Sequence, residues 1–152
     1  MVDFLTPQHI LPRLKVTSKK QLLQELSRRA AELTGLDERR IFDILLERER
    51  LGSTGVGNGI AIPHGRISGL GRIFGLFAKL DQPVEFEAVD EQPVDLVFLL
   101  LAPENAGADH LKALARVSRL LRDKSICEKL RGADRADALY ALLSDDAASH
   151  AA

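Results

Sequence analysis

The stretch that decides the fold is PVDLVFLLLAP, residues 93–103. From Val94 to Leu101 every residue is apolar except Asp95. A continuous apolar run rich in Val, Leu and Phe and bounded by prolines is typical of a strand that is buried on both faces. The sequence therefore predicts a central strand here, and helices must cover both of its faces.

Other segments supply the partners of this strand. The runs IAIPH at 60–64 and RIFGLFAKL at 72–80 predict two more strands. Before them, Ser18 and Asp37 are candidate N-caps of two helices, and the first helix ends at Gly35. The N-terminal entry around Pro7 and Pro12 is predicted to be irregular. After the central strand, helical spacing of apolar residues predicts helices over 111–121, 126–130 and 136–143. This order predicts an α/β fold, a mixed β-sheet sandwiched by helices on both faces.

Length and composition limit the classes of function. A chain of 152 residues with 45% hydrophobic and 28% charged residues predicts one globular domain over residues 1–145, followed by a disordered tail at 146–152. The net charge of -1 argues against nucleic-acid binding. No window approaches the roughly 20 apolar residues that span a bilayer, so no membrane insertion is expected. The single cysteine, Cys127, has no disulfide partner, which favours the cytoplasm.

A glycine-rich segment, GSTGVGNGIAIPHG at 52–65, carries the candidate chemistry. Nucleotide-binding glycine motifs run from a strand into a helix, whereas this segment follows a predicted helix and precedes a strand. Asn58-Gly59 predicts a tight turn, and Gly55 and Gly57 permit close approach of another surface to the backbone. We interpret the segment as a docking site for another molecule, with few side chains of its own.

His64 is the residue that this segment presents. Pro63 fixes the backbone before it, and Gly65 places no side chain after it. An isolated histidine would more simply be half-buried with one hydrogen bond, but these neighbours favour a held and accessible imidazole.

Three more residues are candidates by position. His110 begins the helix after the central strand, where the dipole favours a neutral imidazole, or it simply faces solvent. Arg48 and Arg50 lie in ERER, a pattern typical of a solvated helix end. An arginine next to the glycine loop can also bind phosphoryl oxygens through its planar guanidinium. We expect one of these two arginines to be functional.

These residues lie in segments that resemble the type 2 enzyme IIA proteins of the bacterial phosphoenolpyruvate-dependent phosphotransferase system, and within them the nitrogen-regulatory branch. The resemblance spans nearly the whole chain. It is carried by SKKQLLQEL at 18–26, LLERERLGSTGVGNGIAIPHGRI at 45–67 and PVDLVFLLLAPENAGADHLKALARVSRLLRD at 93–123.

The resemblance implies a mannitol/fructose-like fold and a set of roles. His64 matches the phosphorylated histidine, His110 the second active-site histidine, and Arg48 the arginine that precedes the loop. The implied protein is a phosphocarrier without a cofactor or a metal, and not an independent metabolic catalyst. Its implied donor is an HPr-like carrier phosphorylated on histidine, and its implied targets are regulated proteins such as sensor kinases or ion transporters. The supporting loop comprises Gly55, Gly57, Asn58, Gly59, Pro63 and Gly65.

Three alternatives stay open. The same fold can serve sugar transport by passing the phosphoryl group to a cysteine of a partner. It can be an interaction module in which no phosphate moves. A metal site built from His64, His110 and Glu104 is a further alternative, although no ligand motif supports it. The sequence also leaves open which ring nitrogen of His64 would carry the phosphoryl group.

Overall fold

The computed structural model describes residues 4–151, with side chains as far as Ser144. In this part of the chain six strands form one mixed sheet, and five α-helices follow a short 3-10 turn at Pro7–His9. The strands are β1 Ile10–Leu14, β2 Gly55–Gly57, β3 Ile60–Ala61, β4 His64–Ile67, β5 Phe74–Val84 and β6 Val94–Pro103. The helices are α1 Lys19–Thr34, α2 Glu38–Leu51, α3 Ala108–Arg122, α4 Lys124–Gly132 and α5 Ala136–Ala151.

Strand β6 is central, as predicted. The sheet order is β1-β5-β6-β3-β2, and β4 also pairs with β6. Strand β6 is antiparallel to β5 and parallel to β3 and β4. Its alternate side chains enter two different cores, which confirms that both faces are covered. One core holds Val97, Leu99 and Leu101 with α1 and α2, and the other holds Leu96, Phe98 and Leu100 with α3, α4 and α5.

The predicted helix caps are present. Ser18 Oγ accepts a hydrogen bond from Gln21 N at 3.1 Å, and Gly35 ends α1 with a φ of 78°. Asp37 accepts from Arg40 N at 3.0 Å at the start of α2. Each cap satisfies a backbone group that the helix itself leaves unpaired, so the bounds of both helices follow from local sequence.

The prediction of an irregular entry was wrong over residues 10–14. This segment is β1, which pairs in parallel with β5 through Ile10 and Phe77. Strand β1 lies at the edge of the sheet, where Pro12 can lack an N–H without breaking a second ladder. The prolines therefore did not exclude a strand here.

The strand predicted over 60–64 is divided at Pro63. The part before it, β3, pairs with β6 at Leu96 and Val97, whereas the part after it, β4, pairs at Leu100 onward. His64 consequently begins a new strand rather than ending one. Because of this division, the residues from His64 to Ile67 pair with β6 from Leu100 to Pro103.

The predicted tight turn closes the β2–β3 hairpin. Asn58 and Gly59 both have positive φ, 59° and 81°, as primed hairpin turns require. Gly59 O accepts from Asp95 N at 2.9 Å and from Leu96 N at 3.1 Å. Arg131 on α4 donates to Asn58 O at 2.8 Å and forms two 2.9 Å bonds to the Asp95 carboxylate. The one polar residue of the central apolar run thus joins the hairpin turn to α4.

Helix α5 extends over residues whose side chains lie outside the described part, beyond Ser144. The disordered tail predicted at 146–152 therefore stays a prediction. Among the helices that the structure describes, none combines the length and the apolar character needed to cross a membrane.

Replacing Gly65 by alanine tests the packing of β4 against α2. A Cβ at Gly65 would lie 2.5 Å from Ile44 Cγ2, and a β-branched side chain has little freedom to move away. We expect Gly65→Ala to lower the free energy of unfolding by about 1–3 kcal/mol. In the Ile44→Ala background, the same change should cost much less. Urea denaturation of both single variants and the double variant measures this coupling, and strictly additive losses would contradict it.

Candidate functional site

The backbone around His64 is fixed by the central strand and by the loop. Leu100 N on β6 donates to Pro63 O at 3.0 Å, and Ile62 N donates to Thr54 O at 3.0 Å. The His64 ring is half-buried, and its Nδ1 lies 2.8 Å from Ile62 O. A carbonyl oxygen can only accept, so neutral His64 carries its proton on Nδ1 and its free lone pair on Nε2. Nε2 is therefore the nitrogen of His64 whose lone pair is available to react.

The fold brings the second predicted histidine to the first. The His64 and His110 rings are 5.8 Å apart between centroids and nearly perpendicular, at 81°. His110 lies in the first turn of α3 and is only 6% exposed, so the alternative that it simply faces solvent is wrong.

Both imidazoles are held in the neutral form. Burial lowers the pKa of His64, and the nearby Arg48 charge lowers it further, against the opposing effects of the Ile62 carbonyl and Glu49. Burial is also the main cause that lowers the pKa of His110, followed by the charges of His64 and Arg66. A neutral His64 keeps its Nε2 lone pair available near neutral pH.

The two arginines of ERER have different surroundings. Arg48 Nη1 donates to Gly52 O at 2.8 Å, and its charge reaches His64. Arg50 pairs with Glu47 at 3.3 Å, and both side chains are about two thirds exposed (67% and 70%). Arg48 is therefore the arginine of this pair that lies beside the candidate site.

The supporting loop occupies the positions that the sequence indicated. Gly55 and Gly57 bound β2, and Asn58 and Gly59 form its turn. Gly65 packs under Ile44 in addition to following His64. The interpretation of this loop as a docking site for a partner stays a prediction.

Sequence reasoning missed Glu49, which is buried at the base of the loop and 8% exposed. Its carboxylate accepts from Thr54 N at 3.1 Å and from the Thr54 hydroxyl, and it pairs with Lys19 Nζ at 3.0 Å. The spacing of Ile41, Leu45 and Glu49, four residues apart on one buried face of α2, could have revealed it. Glu49 fixes the start of the glycine loop to α1 and α2.

Arg66 was missed as well. It lies two residues after His64 on β4, so both side chains emerge on the same face of the strand. Arg66 Nε lies 3.3 Å from His110 Nδ1. The spacing could have revealed Arg66 only if a strand had been predicted beyond Pro63.

No metal centre emerges from the residues that the structure describes. Nowhere among them do three or more His, Cys, Asp or Glu side chains gather closely enough to hold an ion, and this includes His64, His110 and Glu104. The assembled groups are instead a neutral imidazole with a free Nε2 lone pair, a second buried imidazole and a nearby guanidinium. Such a set is suited to receiving a phosphoryl group.

A family model matches nearly the whole chain. Residues 3–146 match the family described as phosphoenolpyruvate-dependent sugar phosphotransferase system, EIIA 2. The chain belongs to this family. It is therefore a component of the phosphotransferase system, as the resemblance implied.

Individual members of the family are also similar to this chain. A nitrogen regulatory protein of Bradyrhizobium diazoefficiens is 62% identical over 144 residues, which cover 95% of this chain and 94% of that protein. The crystal structure of nitrogen regulatory protein IIA-Ntr from Neisseria meningitidis matches with a TM-score of 0.88 and 40% identity, and covers 93% of this chain and 97% of that one. These similarities confirm the resemblance to the nitrogen-regulatory branch.

The sugar-specific members share the fold. The IIA mannitol structure from Escherichia coli has a TM-score of 0.76 at 23% identity, and covers 91% of this chain and 98% of that chain. Together with the IIA-Ntr match, it confirms the predicted mannitol-like sandwich of helices around a mixed sheet.

Acid should weaken the fold through the two histidines. Their pKa values are lowered from the ordinary value of 6.5, so the unfolded chain binds more protons in mildly acidic solution. Their contribution to stability is complete above pH 6.5 and is lost as the pH falls through the lowered values. We expect the free energy of unfolding to fall from about pH 7 to about pH 5, and less steeply in His64→Gln and His110→Gln. Equal slopes in all three proteins would contradict this.

Removing the buried carboxylate should loosen the glycine loop. Glu49→Gln leaves Lys19 without its closest charge partner, and we expect it to lower the free energy of unfolding by about 3 kcal/mol. Thr54→Val is the matched control, because it removes only the hydroxyl bond and should cost about 1 kcal/mol. Thermal and urea unfolding measure both. A smaller loss for Glu49→Gln than for Thr54→Val would overturn the anchoring role.

Proposed function

We propose that this chain is a phosphocarrier and regulatory protein of the nitrogen branch, which accepts a phosphoryl group on His64 Nε2 from an HPr-like carrier phosphorylated on histidine. The observation that carries the proposal is the 2.8 Å hydrogen bond between His64 Nδ1 and Ile62 O. It places the proton of the neutral ring on Nδ1, which leaves the Nε2 lone pair free for in-line attack.

The transfer step balances without an added reactant. The Nε2 lone pair of His64 attacks the phosphorus of a donor phosphohistidine whose other ring nitrogen carries a proton. The bond from phosphorus to the donor's ring nitrogen breaks, its electron pair returns to that nitrogen, and the donor leaves as a neutral imidazole. The Nδ1 proton of His64 stays in place. The positive charge that develops on the ring is stabilised by the Ile62 carbonyl that accepts this N–H.

Arg48 and His110 stabilise the group in transit. A phosphoryl group spreads negative charge over three equatorial oxygens, and a guanidinium and a neutral N–H donor can bind them. One N–H group of Arg48 holds Gly52 O at 2.8 Å, which fixes the side chain, and its other donors can face the phosphoryl group. His110, whose ring lies 5.8 Å from that of His64, can offer a further donor.

The surface beside this site suits a protein donor. Large apolar side chains are exposed close to the site residues in sequence: Leu51 is 80% exposed and Val56 52% on the loop side, and Leu111, next to His110, is 66% exposed. Exposed apolar groups around a polar centre are typical of docking surfaces for proteins. The HPr-like carrier is the proposed occupant.

The consequence of phosphorylation is a change of surface charge. A neutral imidazole gains a group with well over one negative charge, which alters the partners that can dock on this face. The regulated targets that we propose are proteins such as sensor kinases or ion transporters, and the setting is the cytoplasm. The 62% identity to a nitrogen regulatory protein favours this role over sugar transport.

Intact-mass measurement tests the proposal. Wild-type protein and His64→Gln are incubated with phosphoenolpyruvate, enzyme I and the small histidine carrier. We expect one acid-labile phosphoryl group on the wild type and none on His64→Gln, because the nucleophile has been removed.

Long-range proton–nitrogen correlation on the phosphorylated wild type then identifies the nitrogen. The expected result is phosphorus on Nε2 and hydrogen on Nδ1. Phosphorylation of His64→Gln at the wild-type rate, or a phosphoryl group on Nδ1, would contradict the proposed site. Unchanged regulation of partners by His64→Gln would instead support an interaction module in which no phosphate moves.

A further inference from the structure

Arg66 connects the two elements that carry the histidines. It belongs to β4 together with His64, and its Nε lies 3.3 Å from Nδ1 of His110 on α3. The sheet and the helix on one of its faces thus meet at this contact. Arg66 itself is exposed, so it has no part in either hydrophobic core.

This contact decides where His110 carries its proton. An arginine Nε always bears hydrogen and can only donate, so His110 Nδ1 accepts, and neutral His110 holds its own proton on Nε2. Protonation of Nδ1 would set two N–H groups against each other. The arginine therefore holds the ring in one tautomer and in its neutral form.

The opposite nitrogen of His110 is a buried donor. His110 Nε2 is inaccessible and has no hydrogen-bond partner among the described residues. A buried N–H without an acceptor is unfavourable, and such groups in native proteins call for an explanation. The His64 ring lies edge to face at 5.8 Å, close enough for oxygens bound to His64 to come within reach of the second ring. An oxygen of a phosphoryl group on His64 would supply the acceptor that this donor lacks.

We propose that Arg66 is a positioning residue for phosphoryl transfer, which acts through His110 by fixing the Nε2–H tautomer that donates to the phosphoryl group on His64. This rests on the proposed function. Arg66 differs in role from Arg48, whose charge acts on His64 directly. The two histidines then have complementary tautomers: His64 donates from Nδ1 and attacks with Nε2, whereas His110 accepts at Nδ1 and donates from Nε2.

The first measurement needs no phosphate. Long-range proton–nitrogen correlation on the unphosphorylated wild type should show His110 with a bare Nδ1 and a protonated Nε2. A proton on Nδ1 of His110 would overturn the inference at once, whatever the protein does with a phosphoryl group. The two failures are therefore distinguishable. If the inference about Arg66 fails, the proton lies on Nδ1 of His110; if the proposed function fails, the carrier does not phosphorylate the wild type.

A double-mutant cycle then tests whether Arg66 acts through His110. We expect Arg66→Leu to slow phosphorylation of His64 about tenfold, within the range of couplings between residues in contact. In the His110→Gln background, the same change should have little effect. An equal slowing in both backgrounds would mean that Arg66 contacts the phosphoryl group itself, and would overturn the positioning role.

Two further variants serve as controls for this experiment. Arg66→Met repeats the loss of the guanidinium with a flexible side chain that has no N–H to donate, so the conclusion does not depend on how the leucine variant folds. Arg39→Leu is the matched control, because Arg39 is 81% exposed on α2 and pairs with Asp43. The Arg39→Leu variant should be phosphorylated at the wild-type rate. A similar slowing in Arg39→Leu would show a general effect of surface charge and contradict a specific role for Arg66.

Discussion

The structure depends on the burial of β6 on both faces. Because its side chains alternate between two cores, the strand needs helices above and below it and paired strands on both edges. The pairing on one edge continues from β3 to β4, and this continuation places His64 opposite Leu100. The position of the candidate nucleophile is thus a direct consequence of how the central strand is covered.

The glycine segment is held at its beginning and at its turn. Glu49 fixes its beginning at Thr54, and Arg131, itself paired with Asp95, fixes its turn at Asn58. A flexible glycine loop would have to be ordered each time a partner docked, at a cost in conformational entropy. These polar contacts make the segment rigid before binding, so the loop can be poor in side chains and still present His64 in one orientation.

The histidines are distinguished by their hydrogen bonds rather than by their residue type. A backbone carbonyl accepts from His64 Nδ1, and a guanidinium donates to His110 Nδ1. One ring consequently exposes a lone pair, and the other a donor, on their Nε2 atoms. Burial keeps both rings neutral, so this difference persists near neutral pH. Two identical side chains are in this way chemically distinct, as the roles proposed for them require.

The sequence by itself determined the features that depend on local chemistry and hydrophobic pattern. The caps at Ser18 and Asp37, the turn at Asn58 and the buried strand over 94–101 all follow from neighbouring residues. The glycine-rich context pointed to His64 and to one of Arg48 and Arg50, and the family resemblance then singled out Arg48 and His110. The strand at 10–14 was missed because edge pairing, which tolerates a proline, depends on a distant strand.

Only the tertiary structure decided which of these residues meet and how they are protonated. Glu49 resembled a solvated charge until α1 and the loop buried it, and Arg66 met His110 only because α3 lies against β4. The tautomer of each histidine is set by one hydrogen bond to a partner whose position depends on the fold. The physical reason is that hydrophobic pattern and caps act over a few residues, whereas burial and hydrogen-bond partners are set by segments that are distant in the chain.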